Sequence, residues 1–245
     1  MNWDDSVIYQ NNRKNRHLEI AEQLIQKDLA YKCYSTKQEV SDYKKTALEM
    51  GKSSKFISPW RNNRLTRKNS MDYVIRLRVP EKSQTLIEDC VQGIVSWQNE
   101  NLDDLILLRS DGTATYNLAV VVDDHDSKVS HIIRGDDHLA NTPKQKLIYE
   151  SLGWDIPLFA HLPLIHGTDG KKLSKRHGAV GVDHYQKMGI TAPALKRYLS
   201  QLGWDSGNDD LLSIEQLTKD FKIENIVKSP AKFDLVKLND ICSKV

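Results

Sequence analysis

Cysteine is scarce in this chain of 245 residues: Cys33, Cys90 and Cys242 stand far apart, with no paired spacing. That excludes a disulfide framework or a cysteine-built metal knuckle and points to a reducing, cytoplasmic compartment. Long apolar runs are also missing. No stretch of about 18 apolar residues exists, so no membrane-spanning helix is expected. The opening Met1-Asn2-Trp3-Asp4-Asp5 is acidic and polar, unlike a secretory signal. There is no low-complexity tract and no long Pro/Gly linker. Net charge is small, with 35 Lys+Arg against 33 Asp+Glu. With 39% hydrophobic residues the composition is that of an ordinary globular chain, which excludes wholesale disorder.

The small net charge hides a local excess. Between Lys44 and Arg78 there are ten basic residues (Lys44, Lys45, Lys52, Lys55, Arg61, Arg64, Arg67, Lys68, Arg76, Arg78) and two acidic ones, Glu49 and Asp72. Phe56, Trp60 and Tyr73 are interleaved among them. Such a region suits phosphate contacts, with the aromatics either stacking on unpaired bases or forming a small-domain core. The core is the better-supported reading for the aromatics.

Local patterns predict the elements. A helix is expected over Asn15–Leu29, with Leu18, Ala21, Ile25 and Leu29 on one face and Ile20 and Leu24 beside it. Tyr73–Val79 reads as a strand stopped by Pro80, and Leu105–Leu108 as a buried strand before the Ser110-Asp111-Gly112 turn. Val129–Ile133 and Phe159–Ile165 are further strand candidates. Thr115–Val122 is ambiguous, and propensity alone favours a strand. Thr142 with Pro143 opens one helix and Gly153 closes it; Thr191 with Pro193 opens another and Gly203 closes it. Both end in Leu-Gly-Trp-Asp, a stop signal used twice rather than a repeat. Beyond residue 190 the pattern is helical only. Mixed strands and helices before it imply an α/β sheet with helices on its faces.

The stretch from His161 to His177 concentrates chemistry. It places Lys171, Lys172, Lys175 and Arg176 on a Gly-flanked loop after a strand. Four cations there are either a solvated surface or a clamp for a polyphosphate, neutralising a departing pyrophosphate. Asp123-Asp124-His125-Asp126 offers metal-ligand types, but adjacent residues cannot all converge, so a solvated helix end is expected. His161, His166, His177 and His184 lack zinc-like spacing.

Lys172-Leu173-Ser174-Lys175-Arg176 resembles the Lys-Met-Ser-Lys-Ser loop of class I aminoacyl-tRNA synthetases. Four further blocks resemble the glutamyl-tRNA synthetase family: Ser110–His125, His131–Pro143, His177–Gly181 and the entry segment carried by Trp3-Asp4-Asp5 and Ala30-Tyr-Lys-Cys33. The resemblance covers nearly the whole chain. It implies a partial Rossmann-like α/β catalytic domain carrying an inserted acceptor-binding α+β domain, followed by a helical stem-contact region. The expected divisions are 1–30 for the first catalytic part, 31–108 for the insertion, 109–180 for the second catalytic half and 181–245 for the stem-contact region. It also implies that Thr115–Val122 is helical, against propensity.

By that resemblance, Tyr116 and Arg134 line a glutamate pocket, Arg134 pairing its fork with a carboxylate. An ordinary strand-end ion pair is the alternative for Arg134. Asp137 sits near the ATP ribose, or is a helix N-terminal acid. Lys172 and Lys175 bracket the triphosphate with Arg176, and Ser174 shapes the loop, making Lys172, Ser174 and Lys175 the catalytic set. ATP is expected as substrate with Mg2+. The partners implied are tRNA(Glu) and L-glutamate. No zinc is expected: where some members hold it through several cysteines, only Cys33 remains, with Ser35 and Trp60 about where others would be.

The family's first catalytic strand and its His-Ile-Gly-His-type motif would precede Trp3, and its anticodon-binding domain would follow Val245. The chain therefore resembles an interior fragment, expected to be inactive alone and to self-associate through an exposed sheet edge. Glutamyl-queuosine tRNA(Asp) synthetase and a non-catalytic tRNA-binding or pseudogene product are the alternatives. The Lys-Arg-His-Gly-Ala-Val continuation after Ser174 favours glutamyl-tRNA synthetase over the queuosine enzyme.

Overall fold

Helix α1 (Lys14–Gln26) leads into strand β1 (Ala30–Cys33) and helix α2 (Lys37–Glu49). Strands β2 (Val74–Leu77), β3 (Gln84–Asp89), β4 (Gly93–Gln98) and β5 (Ile106–Leu108) follow, then helix α3 (Tyr116–Asp126) and strand β6 (His131–Gly135). A 3-10 turn, Asp136–Asn141, joins β6 to helix α4 (Thr142–Leu152), which is followed by β7 (Leu158–Leu162). Helices α5 (Val182–Lys187), α6 (Ala192–Ser200), α7 (Ile214–Asp220) and α8 (Leu235–Lys244) complete the order. These elements come from a computed structural model that describes residues 6–63, 72–167, 169–173, 181–204 and 213–244. Among them, no helix is long and apolar enough to cross a membrane.

The chain divides into two units. The first comprises Met1–Ile87, Val95–Ser130 and Ala140–Pro157. Its antiparallel sheet runs β1-β2-β5. Ile20 and Leu24 of α1, Leu77, Leu107, Leu118 and Ile148 form the dry centre, each at most 1% exposed. Fully burying a side chain of this size stabilises by about 1.5–3 kcal/mol, so this centre holds the unit together.

Helix α1 is rotated from its predicted face. His17, Ile20, Ala21 and Leu24 are buried, while Leu18 is exposed. The turn follows from His17, whose Nε2 meets Asp123 Oδ1 at 2.9 Å. Arg16 from the same helix and Arg13 just before it pair with Asp123 and Asp126. The acidic run at the end of α3 is thus an ion-pair clasp for α1, and His125 stacks on Trp154 with centroids 3.6 Å apart.

Helix α2 starts on a capping box. Thr36 Oγ1 accepts from Glu39 N at 3.1 Å, and the Glu39 carboxylate accepts from Thr36 N at 2.7 Å. This helix buries none of its residues, so no apolar stripe announces it. Thr115–Val122 enters α3, as the resemblance requires and propensity does not. Thr115 N–H and Oγ1–H donate to Leu107 and Ile106 carbonyls, which ties the helix start to β5. Leu118, Ala119, Val121 and Val122 are then all buried. The next strand begins at His131, later than expected, because Lys128 turns left-handed at φ 55° and Val129 N–H still closes onto Asp124.

The second unit comprises Glu88–Ile94, His131–Leu139 and Leu158–Val245. Strands β6 and β7 pair in parallel, with Arg134 opposite His161, and the end of β3 joins β7 in parallel at Asp89↔Phe159. Tyr185, Ile190, Leu195, Tyr198, Leu238 and Ile241 from α5, α6 and α8 form its helical core. Thr191 caps α6 by accepting from Ala194 N at 3.3 Å. The helical pattern after residue 190 is interrupted by short backbone bridges, Trp204↔Ile226 and His166↔Lys232.

Candidate active site

In parallel sheets, ligands sit at the carboxyl ends of the strands, where connecting loops present polar groups. In the second unit that edge carries Asp89 at the end of β3, Arg134 near the end of β6 and His161 near the end of β7. Arg134 Nε donates to His161 Nε2 at 3.1 Å. His161 Nδ1 meets Asp89 Oδ2 at 2.5 Å. Both of these acid–base side chains are 0% exposed.

Asp89 is held as a carboxylate. Burial works against its charge, but hydrogen bonds from Gln92 N–H, the His161 side chain, His161 N–H and Val91 N–H outweigh burial and hold its pKa below the usual range. Burial lowers the His161 pKa, and Arg134 adds to that, while Asp89 and Asp136 oppose it. Gln92 Nε2 also donates to the His161 carbonyl at 2.9 Å, pinning the hairpin to β7.

Two loops leave this edge. The 3-10 turn after β6 carries Asp137, and the chain after β7 returns on itself. His166 pairs with Lys172 antiparallel, and Leu173 N–H donates to the Ile165 carbonyl at 2.8 Å. This turn brings Lys172 Nζ within 2.8 Å of Asp137 Oδ2. The Lys172 ammonium, as hydrogen-bond donor and charge, keeps the Asp137 carboxyl below the ordinary range. Gly135 precedes Asp137 for a steric reason: a Cβ there would lie 2.7 Å from Asp137 Oδ1 and 3.4 Å from Leu164 Cδ2.

The structure thus brings together Arg134 with His161, and Asp137 with Lys172. Asp137 lies in the 3-10 turn rather than at the N-terminus of α4. Tyr116 opens α3 in the first unit and is 42% exposed. Ser174, Lys175 and Arg176 lie outside the described residues. Asp89 and His161 were missed as a pair by sequence reasoning, although a histidine inside the apolar run Phe159-Ala160-His161-Leu162 was a signal that a buried partner must exist. An apolar cavity of about 500 Å3 lies on the other face of β6 and β7, lined by Ile133, Leu162, Trp204 and Phe221; among the described residues no ionisable side chain lines it.

The cationic stretch is less free than its composition suggests. Lys44 pairs with Asp103, Arg61 with Asp104 and Glu81, and Arg78 with Asp28. Arg76 is buried and donates to the Asp104 carbonyl at 2.8 Å. The acids lie outside the stretch, so a local charge count overlooks them. Phe56 is buried and packs with Tyr31, Cys33, Val40, Trp60 and Val74. Tyr34 meets Trp60 edge-on and Tyr73 at a tilt. These aromatics are core. Cys33 Sγ sits 3.3 Å from Ser58 Oγ within it.

A parallel sheet with paired charges at its carboxyl edge and a cation-bearing loop beyond is the layout of a nucleotide-using α/β enzyme class. Residues 1–240 match the family model of tRNA synthetases class I (E and Q), catalytic domain, and the chain belongs to that family. It is 49% identical over 244 residues to glutamate–tRNA ligase 1 of Cereibacter sphaeroides, covering 100% of this chain and 52% of that protein. It is 51% identical over 240 residues to the glutamate–tRNA ligase of Nitrobacter winogradskyi, covering 98% and 51%. A crystal structure of a glutamate tRNA ligase from Elizabethkingia meningosepticum, in complex with its amino acid, superposes with a TM-score of 0.85 at 26% identity. That match covers 97% of this chain and 54% of the other. The chain spans about half the length of the curated relatives it matches.

Proposed function

We propose that this chain carries the activating chemistry of a glutamate–tRNA ligase. The carboxylate oxygen of L-glutamate attacks the α-phosphorus of ATP. The bond from that phosphorus to the bridging oxygen breaks, giving glutamyl adenylate and pyrophosphate. The terminal ribose hydroxyl of tRNA(Glu) then takes the glutamyl group and releases AMP. The observation that carries this reading is the pair of loops at the carboxyl edge, with Arg134 tethered on β6 and Lys172 poised on the turn after β7.

Arg134 and Tyr116 are read as the glutamate-binding residues. The guanidinium fork of Arg134 suits a carboxylate. Asp137 is read as the ribose contact, and Lys172, Lys175 and Arg176 as triphosphate contacts, with Ser174 shaping the loop between them. Cations aimed at phosphate oxygens stabilise charge that develops as pyrophosphate departs. Among the described residues, no group of three or more His, Cys, Asp or Glu is placed to hold a metal ion. Magnesium is read as the companion of ATP, arriving with the substrate. Residues 31–108 are read as the acceptor-binding insertion and 181–245 as the stem-contact region, in a cytoplasmic protein.

Glutamate-dependent exchange of pyrophosphate into ATP, measured with tRNA present, tests the reading. Exchange that needs glutamate and is lost in Lys172→Ala supports it. Exchange independent of glutamate overturns it, as does absence of exchange once the chain is joined to the segments its full-length relatives carry. Transfer of glutamate to tRNA(Asp) instead of tRNA(Glu) would move the assignment to the queuosine-type enzyme.

A further inference from the structure

Arg134, His161 and Asp89 form a line of three side chains whose order can be read from donor chemistry. Arginine Nε–H can only donate. Its partner His161 Nε2, 3.1 Å away, must then present a lone pair. The imidazole proton therefore sits on Nδ1 and points at Asp89 Oδ2. Asp89 Oδ1 is already filled by three backbone donors: Gln92 N–H at 2.8 Å, Val91 N–H at 3.0 Å and His161 N–H at 3.1 Å. Both carboxylate oxygens accept, so the acid has one orientation, and it leaves the imidazole one tautomer.

We propose that Asp89, acting through the His161 imidazole, is a positioning residue that fixes the guanidinium plane of Arg134 for a substrate carboxylate. This rests on the reading of Arg134 as the carboxylate-binding group. Asp89 touches no substrate in this arrangement. Its effect passes through which ring nitrogen carries the proton. With the proton on Nε2, two N–H donors would face each other at the Arg134 contact, and the guanidinium would turn away.

Asp89→Asn isolates this effect. The Asn carbonyl can still accept the three backbone N–H groups, so the turn after β3 keeps its shape. The Asn amide N–H would then occupy the Oδ2 position and donate to Nδ1, moving the ring proton to Nε2. Two further variants separate the two halves of the line. His161→Gln can present an acceptor oxygen to Arg134 and gives up the Asp89 contact. His161→Asn can keep a donor toward Asp89 and gives up the acceptor.

Long-range 15N–1H correlation spectra of the isotope-labelled chain read the tautomer of His161 directly. The Arg134 Nε–H signal reports its hydrogen bond. The expected result is the Nδ1–H form in the wild type, the Nε2–H form in Asp89→Asn, and an Arg134 Nε–H signal that moves with it. Glutamate affinity should fall by about ten- to a hundredfold in Asp89→Asn and His161→Asn, the scale of one lost charge-assisted hydrogen bond, and less in His161→Gln. ATP affinity should not change. An Nε2–H form in the wild type overturns the proposal, as does an Arg134 signal indifferent to Asp89→Asn or equal losses in the two His161 variants. Should glutamate fail to perturb Arg134 in the wild type, the substrate reading falls alone, because the tautomer and the Arg134 signal decide the relay without any substrate.

Discussion

Lys172 and Asp137, 35 residues apart in sequence, meet at 2.8 Å across the mouth of the carboxyl edge of β6 and β7. Their side chains are 57% and 43% exposed, so solvent screens the pair and it contributes little to folding. Its interest is chemical: in the proposed function, Asp137 meets the ribose and Lys172 the triphosphate of one nucleotide. Lys172→Ala should leave the melting temperature of this chain unchanged and, in a full-length ligase carrying this chain, slow glutamate activation by about 10²–10³, the scale of one lost electrostatic donor. Pyrophosphate-exchange rates beside thermal melts of the same preparations check both halves.

Gly135→Ala tests the same mouth from below. The added methyl would press on Asp137 Oδ1, the end of a partly exposed side chain. The fold should therefore survive, while Asp137 swings away from Lys172. ATP affinity should weaken, and the double variant Gly135→Ala/Asp137→Asn should be no weaker than the worse single one, since both act on one contact. Fully additive losses would show that Gly135 acts elsewhere.

Acid should weaken the second unit in two stages. Burial lowers the folded-state pKa of His161, so below its unfolded value of 6.5 the unfolded chain binds more protons than the folded one. Stability then falls as pH drops from there through the folded pKa. Asp89, also lowered in the folded state, adds a second loss below its reference value of 3.8. The groups facing His161 are Asp89, Arg134 and Asp136. Urea midpoints at pH 7.5, 6.0 and 5.0 should decline for the wild type and decline less for His161→Gln. A midpoint rising toward pH 5 would contradict the assignment.

Asp104 holds the first unit's edge together. It is 6% exposed and accepts from Tyr31 OH at 2.8 Å, from Val79 N at 2.9 Å and from Arg61. Burial pushes the Tyr31 phenol above its ordinary range, so it stays a donor to this carboxylate. Asp104→Ala would strand the Val79 amide and leave Arg61 with only Glu81 and the Val79 carbonyl, at a cost of about 1–3 kcal/mol. Chemical denaturation measures this, and a loss below about 1 kcal/mol would mean that water replaces the carboxylate.

RNA binding should depend on salt less steeply than the basic stretch suggests. If all ten cations met phosphates, the logarithmic slope would approach about −7 to −9. Lys44, Arg61, Arg76 and Arg78 have partners within the fold. At most six remain, so the slope should be no steeper than about −4 to −5. Affinity of the chain for an acceptor-stem RNA between low and moderate salt tests this.

Sequence reading succeeded where local chemistry marks a boundary. Pro143 and Gly153 bracket α4, and Thr191 caps α6, much as their residue types require. It failed where the buried face is polar. Strand β3 turns Thr85, Ile87 and Asp89 inward and leaves Leu86 outside, so an apolar alternation cannot find it. Thr115–Val122 shows the opposite difficulty: valines favour a strand, but anchoring of Thr115 to β5 and burial of Leu118 and Val122 select a helix. At the site, Arg134, Asp137 and Lys172 stood out by resemblance. The Asp89–His161 pair is separated by 72 residues and comes together only because β3 and β7 run side by side.

The tether on Arg134 also has an entropic consequence. A free arginine side chain samples many rotamers, and stilling it costs roughly 1.5–2 kcal/mol. Here Nε is already bound to His161 and the guanidinium lies 6.0 Å from the Phe159 ring. Much of that ordering is therefore completed when the sheet folds. A carboxylate arriving at Arg134 should bind with a correspondingly small loss of side-chain freedom, leaving calorimetric binding entropy governed by water and by the ligand itself.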